Sequence, residues 1–316
     1  MRILVTGSRG FIGGHLTGEL RQRGHTVYGL DLAHGEDELA FALRGDGIGP
    51  TYVRCDVANA RQLERVIESW QPLDLIYHCA AEFGRWNGED HPEVLWLTNV
   101  VGTKHLLRLQ ERYRFKLVHC SSSEVYGDWG DIMHESVPQY HAIQLLNDYS
   151  MTKAVNEQQI RNSARQYGTE SVVVRFFNVY GPGERYSPYR SVNCRFLYCA
   201  LRGWPFTVHR GHRRTSTYVE DAARTLATIA ERFTPGGLYN LAGGQEHTIE
   251  ELAEVVLTVT GASPALATYA DAEPMTTRYK WADIRRAVQE LGHEERVPLL
   301  EGLRQTATWM KGEYGL

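Results

Sequence analysis

The stretch Leu117-Val118-His119-Cys120-Ser121-Ser122-Ser123-Glu124-Val125-Tyr126-Gly127 begins as an apolar, strand-like run and ends in three hydroxyls and a carboxylate. A buried strand that breaks into polar residues at its carboxyl end is where an open α/β sheet places its chemistry. Ser122 and Ser123 can donate or accept hydrogen bonds, and Glu124 can serve as an acid or a base. Further on, Tyr149 and Lys153 stand four positions apart in Asp148-Tyr149-Ser150-Met151-Thr152-Lys153, so on a helix both project from one face. An ammonium beside a phenol favours the phenolate, and Lys153 is expected to lower the Tyr149 pKa toward neutrality. Taken alone, the pair reads as two solvated side chains. Its place after a serine cluster and a glycine motif favours proton transfer.

The elements that must hold these groups are legible around them. Residues 2–6 read as a buried strand, followed at once by Gly7-Ser8-Arg9-Gly10-Phe11-Ile12-Gly13 and a helix through Leu16, Leu20 and Arg23. Strand, Gly-x-x-Gly-x-x-Gly and helix, in that order, suit a pyrophosphate. Gly7 allows the tight turn, Gly10 a close backbone approach and Gly13 the packing of helix on strand, while free amides at the helix start face the anion. A second strand, residues 26–30, ends at Asp31, placed to accept from both ribose hydroxyls of an adenosine. No Arg or Lys follows closely to meet a 2′-phosphate, so NAD is expected rather than NADP.

Strands at 51–55, 73–77 and 172–177, a short helix near Glu36–Leu43, a helix at 59–70 and a long one opened by Pro92 continue the alternation. They predict a parallel sheet covered on both faces. Asp56 and Val57 close the third strand. Ala80 and Ala81 follow the fourth and are small enough for a planar ring or ribose to lie against the backbone. At Asn178-Val179-Tyr180-Gly181-Pro182-Gly183 the alternation breaks, and a substrate-binding part is expected to begin there, running through an aromatic segment to Arg195. The basic run His209-Arg210-Gly211-His212-Arg213-Arg214 is expected to meet phosphate.

Composition bounds the function. The chain has 316 residues, 42% of them apolar and 23% charged, and a formal net charge of -4. That size buries a large core, and the acidic balance argues against a nucleic-acid partner. No apolar run approaches a membrane span and no signal-peptide pattern opens the chain, so a cytoplasmic protein is expected. The five cysteines and thirteen histidines show no disulfide or metal spacing.

The chain resembles the extended short-chain dehydrogenases that modify nucleotide sugars: epimerases, dehydratases and decarboxylases. The resemblance covers nearly its whole length and rests on Thr6-Gly7 through Gly13, Asp31, Asp56-Val57, His78-Cys79-Ala80-Ala81, Asn99, the serine stretch, Tyr149 with Lys153, and Asn178 through Gly183. It implies a Rossmann-like, doubly wound parallel sheet with a smaller, mixed α/β C-terminal substrate-binding region. Residues 1–177, completed by about 215–240, would bind NAD; residues 178–214 and 241–316 would bind a nucleotide sugar, most simply a UDP-sugar. The loop residues Gly7, Arg9, Gly10, Phe11, Ile12 and Gly13, with Asp31, Asp56, Val57, Ala80, Ala81 and Asn99, would hold the cofactor. Tyr149 would be the catalytic base, Lys153 would bind the nicotinamide ribose, and Ser122 would hydrogen-bond the reacting sugar oxygen. Asn178 and Arg214 would hold the nucleotide diphosphate, and Arg195 would be a further substrate-binding residue. Relatives carry a further diphosphate arginine ten residues before Ala282-Asp283; here that position is Glu273, and Arg278 or Lys280 is the expected substitute. Relatives commonly form homodimers through the helices that carry Asn99 and Tyr149.

The first step shared by such enzymes is oxidation at C4 of the sugar: Tyr149 removes the hydroxyl proton while hydride goes to NAD. Glu124 would be idle in a plain 4-epimerase. A 4,6-dehydratase of the deoxythymidine-diphosphoglucose type pairs an Asp with its Glu, and here Ser123 stands in that place, a poor proton donor at neutral pH. The triplet Ser122-Ser123-Glu124 is closer to the Ser/Thr-Ser-Glu of UDP-glucuronate decarboxylases. GDP-mannose dehydratases share it, but Asp31 fits poorly with their preference for NADP. Decarboxylases carry a Pro-Pro-x-Tyr-like loop where this chain has Glu82-Phe83-Gly84-Arg85-Trp86-Asn87, in which Arg85 is a candidate for a sugar carboxylate. A dinucleotide-binding regulator without turnover would be expected to lack the tyrosine or the lysine, and both are present.

Overall fold

Strand β1 (Arg2–Thr6) is apolar at successive positions rather than at alternate ones, so both of its faces must be covered. In the computed structural model, which describes residues 1–33 and 51–316, β1 lies inside a seven-stranded sheet. Its companions are β2 (Thr26–Asp31), β3 (Tyr52–Arg54), β4 (Leu75–His78), β5 (Lys116–Ser122), β6 (Ser171–Phe176) and the strand Leu238–Leu241. The spatial order is Leu238–Leu241, β6, β5, β4, β1, β2, β3, and every neighbouring pair is parallel. The sheet is the doubly wound one expected. The short helix expected near Glu36–Leu43 lies outside the described residues.

Helix α1 (Phe11–Gln22) covers one face, where Leu16 and Leu20 meet Leu226 and Ile229. The other face is covered by the helices Ala60–Ser69, Gly102–Tyr113 and Asp148–Tyr167, through Leu63, Ile67, Leu106 and Ile160. A separate apolar cluster joins Phe196 and Leu197 to Leu252, Val256, Leu303 and Met310, drawn from the helices Val192–Arg202, Ile249–Thr260 and Leu299–Tyr314. No helix among the described residues is long and apolar enough to cross a membrane.

The chain lays β2 and β3 on one side of β1, then crosses to lay β4, β5 and β6 on the other. Loops therefore diverge at the carboxyl ends of β1 and β4, and a crevice opens there. The helix Asp148–Tyr167 reaches that crevice with a fixed start: Asn147 and Ser150 form a reciprocal cap, Asn147 Oδ1 accepting from Ser150 N at 2.8 Å. Such a cap stabilises a helix start by about 1 kcal/mol. Tyr149 is the second residue of that helix, so the cap also places the phenol.

Candidate active site

A cleft of about 540 Å³ runs along the carboxyl ends of the strands. Gly7, Gly10, Phe11, Ile12, Gly13, Asp31, Asp56, Val57, Ala80 and Ala81 line one half of it. Gly7 has φ +70°, and a Cβ there would come within 2.7 Å of Ala80 N; one at Gly13 would lie 2.0 Å from Gly7 O. The hollow exists only because those atoms are missing. Gly10 precedes α1 without capping it through a side chain, so the first amides remain for a ligand. At the end of β2, Asp31 Oδ2 accepts from Arg9 N at 3.0 Å, which fixes the carboxylate at the cleft wall. This set fits a dinucleotide.

Two expected cofactor residues stand elsewhere. The Arg9 side chain is outside the cleft, its guanidinium 4.4 Å from the Tyr52 ring centroid, because the turn points it outward. Asn99 is buried behind the wall in the π turn Leu97–Val101. Its amide accepts from Glu82 N at 2.8 Å and donates to Glu82 O at 3.0 Å and Thr152 Oγ1 at 3.1 Å. It pins the loop after β4 to the helix of Tyr149 rather than facing the cleft.

Tyr149, Lys153, Ser122 and Glu124 meet at the centre of the cleft. Ser123 does not join them: the chain turns into 3₁₀ helix at Ser123–Tyr126, and the Ser123 side chain is 2% exposed and outside the cleft. Lys153 Nζ donates to Cys120 O at 2.8 Å and lies 5.8 Å from the Tyr149 ring centroid. The expected lowering of the phenol is not found. Burial pushes the Tyr149 pKa up, opposed in part by a hydrogen bond with Ser122. Burial also brings Lys153 down to about 8. Desolvation outweighs the ammonium because Lys153 is turned to a carbonyl rather than to the phenol oxygen.

Glu124 forms an ion pair with Lys280, which is 4% exposed. Burial alone would raise Glu124, but the charge and hydrogen bond of Lys280, with the charge of Arg214, outweigh it and hold the carboxyl low. Glu124 is thus ionised at neutral pH. Arg214 is also buried; its NH1 donates to Arg213 O at 2.8 Å and to Arg278 O at 2.9 Å, and burial lowers it to about 10 against the raising charges of Glu124 and Glu273.

Asn178, Arg85, Arg195 and Arg214 line the second half of the cleft. Of the two substitutes considered for the arginine replaced by Glu273, Arg278 is exposed and outside the cleft, whereas Lys280 is inside it. Arg278 and Tyr279 are both exposed between buried Thr277 and Lys280, so the segment does not alternate as a regular strand would, and Arg278 does not share the face of Lys280. Sequence reasoning missed Arg190, which lines the cleft with its guanidinium 3.9 Å from the Phe83 ring centroid. It also missed Glu184, a buried carboxyl held by Ser191 N at 3.1 Å and Ser191 Oγ at 2.9 Å and pushed up to about 7 by burial. Both sit in the segment between Gly183 and Ser191, where no periodicity signals which side chains turn inward.

Comparison with known proteins accords with this geometry. The model of the NAD dependent epimerase/dehydratase family matches residues 3–242. UDP-glucuronic acid decarboxylase 1 of Xenopus tropicalis is 29% identical over 330 residues, covering 99% of this chain and 72% of the relative. Among solved structures, the UDP-glucose 4-epimerase of Thermus thermophilus in complex with NAD is 28% identical, with a TM-score of 0.85 over 99% of each chain. The UDP-glucuronic acid 4-epimerase of Bacillus cereus, in complex with UDP-glucuronic acid and NAD, is 25% identical, with a TM-score of 0.85 over 99% of this chain and 100% of that one.

Proposed function

The chain belongs to the NAD-dependent epimerase/dehydratase family, and from that premise we propose that it decarboxylates UDP-glucuronate through a 4-ketone, giving UDP-xylose or its 4-keto form. The observation that carries this reading is the buried Glu124–Lys280 pair beside Tyr149, with the guanidinium of Arg214 close by. A buried cation cluster suits a sugar that brings its own carboxylate, since buried charges need partners. A neutral hexose offers none.

In this reading Tyr149 takes the proton of the 4-hydroxyl as a phenolate, the form that the positive charges of Lys153 and of a bound nicotinamide would favour against burial; Ser122 hydrogen-bonds the same oxygen, and Lys153 holds the ribose beside them. NAD, when bound, accepts the hydride from C4 and can return it. The ketone turns the C5 carboxylate into a β-keto acid: the C5–C6 bond breaks, carbon dioxide leaves, and the electron pair passes to the C4 oxygen. Tyr149 and Ser122 are placed to stabilise that oxygen. C5 then takes a proton. Elimination of a 6-hydroxyl is disfavoured, because it needs an acid at that position; Ser123 is outside the cleft and Glu124 is held ionised.

Epimerisation of the same uronate is the second reading, favoured by the likeness to the Bacillus cereus 4-epimerase. Incubation with UDP-glucuronate and NAD separates the two by product mass: decarboxylation releases carbon dioxide, whereas epimerisation leaves the mass unchanged. Turnover of UDP-glucose or UDP-galactose without turnover of UDP-glucuronate would overturn the uronate reading.

We further infer a division of labour in which residues 1–177, with about 215–240, bind NAD, and residues 178–214 and 241–316 bind the nucleotide sugar. The pairing of the strand Leu238–Leu241 with β6 supports this boundary. A homodimer is supported by exposed Val94, Leu97 and Val101 on one helix beside exposed Met151 on its neighbour. A cytoplasmic location accords with five free thiols and a nucleotide-sugar substrate.

A further inference from the structure

Arg85 and Glu273 both line the cleft, although 188 positions separate them in sequence. Their side chains form an ion pair, with exposures of 11% and 25%. Arg85 NH1 also donates to Pro274 O at 2.6 Å, and its guanidinium stacks 4.3 Å from the Trp86 ring centroid. Trp86 Nε1 donates to the same Glu273 oxygen at 3.2 Å, and Glu273 N is 2.9 Å from His212 Nε2. The bridge therefore links the loop after β4 to the C-terminal segment that carries Lys280.

We infer that Glu273 is an internal stand-in for the carboxylate of the substrate: Arg85 is the receptor for the sugar acid, and an arriving uronate displaces Glu273 from it. This inference rests on the uronate reading above. An exchange of one carboxylate for another preserves the charge-assisted hydrogen bonds of Arg85. A neutral hydroxymethyl group offers Arg85 neither a counter-charge nor a second acceptor oxygen for its fork of donors. Glu273 thus sets a threshold that a sugar acid passes and a neutral hexose does not, which is selection by competition rather than by pocket size. The flanking Trp86 keeps the guanidinium plane in place during the exchange, through the stacking it already makes.

Glu273→Gln and Arg85→Gln variants test the exchange, with KM for UDP-glucuronate as the readout and calorimetric affinity for UDP as the control. Glu273→Gln is expected to lower KM about tenfold and Arg85→Gln to raise it about tenfold, in each case by more than any change in UDP affinity. The double variant should behave as Arg85→Gln does. A KM that stays the same or rises in Glu273→Gln would make the bridge a structural brace and overturn the inference. Glu273→Ala gives the same reading should the Gln variant fail to fold. If wild-type protein does not turn over UDP-glucuronate, the proposed function fails separately. The exchange is then read from binding alone: the preference for UDP-glucuronate over UDP-glucose must increase in Glu273→Gln, and an unchanged preference overturns it.

Discussion

Tyr149 and Lys153 show how burial alters a pair that is simple on paper. The phenol is raised by desolvation and stays neutral at pH 7, and the ammonium is lowered to about 8, so it keeps its charge at neutral pH at a cost that burial sets. Replacing Tyr149 with Phe should reduce turnover about 100- to 10 000-fold while NAD binding persists; equal activity would remove Tyr149 from the mechanism. Lys153 carries a stability consequence with a definite sign. Its folded pKa of about 8 lies below the ordinary 10.5, so between these values the unfolded chain binds more protons and stability rises with pH. Below that window the full cost of the buried charge is present. Lys153→Met should therefore be more stable at pH 7 by about 2–3 kcal/mol, lose that pH dependence in denaturant titrations, and be inactive.

At the scale of elements, the turn between β1 and α1 and the buried side of the helix Asp148–Tyr167 do the positioning. Gly13→Ala would bring a methyl group 2.0 Å from Gly7 O, so either the turn or α1 must move. NAD affinity measured by titration should fall by at least tenfold, while the far-ultraviolet circular dichroism stays close to wild type. Two turns beyond Tyr149, Glu157 accepts from Ser121 Oγ at 2.7 Å and from Arg175 Nε and NH2 at 2.9 and 2.7 Å. Arg175 is fully buried and also donates to Tyr126 Oη at 2.9 Å; Tyr126 in turn donates to Asn240 Oδ1 at 2.7 Å. The network ties the helix to β5, to β6 and to the strand Leu238–Leu241. Burial would raise Glu157, but the charge and hydrogen bonds of Arg175, with Ser121, hold it below the usual carboxylate range. Its contribution is therefore complete above that range and lost as pH falls through the lowered pKa. Glu157→Gln leaves the Arg175 charge buried without a counter-ion and should cost about 3–5 kcal/mol in urea unfolding at pH 7.

For the whole molecule, one apolar surface stands apart from the cleft. Val94, Leu97 and Val101 are exposed along the helical stretch opened by Pro92, and Met151 is exposed on the adjoining helix. The two helices are joined by Gln159 Nε2 donating to Val100 O at 3.2 Å and by Asn99 bonding Thr152. In the proposed dimer this face is covered by its copy. Leu97→Glu should shift the mass measured by light scattering from dimer to monomer, and a wild-type monomer at micromolar concentration would dispose of that assembly. The cleft itself spans both parts of the chain, from the glycine turn to Lys280, so activity depends on their relative placement.

The amino-acid sequence by itself determined the sheet, the glycine turn, Asp31, and the Tyr149–Lys153 and Ser122–Glu124 groups, because these are encoded by local order: apolar runs, glycines at fixed offsets, and side chains one helical turn apart. Ser123 and Arg278 lie outside the cleft, which local order does not show, because it does not say which way a side chain turns once a strand gives way to a tighter turn or an irregular segment. Asn99, expected at the cofactor, is buried in the π turn Leu97–Val101 behind the cleft wall, a placement that local order does not reveal. Only the tertiary structure brought Lys280 to Glu124 and Glu273 to Arg85, pairs separated by 156 and 188 positions. Charges that distant in sequence find each other through the packing of whole elements, and their pKa values follow from the burial that packing creates.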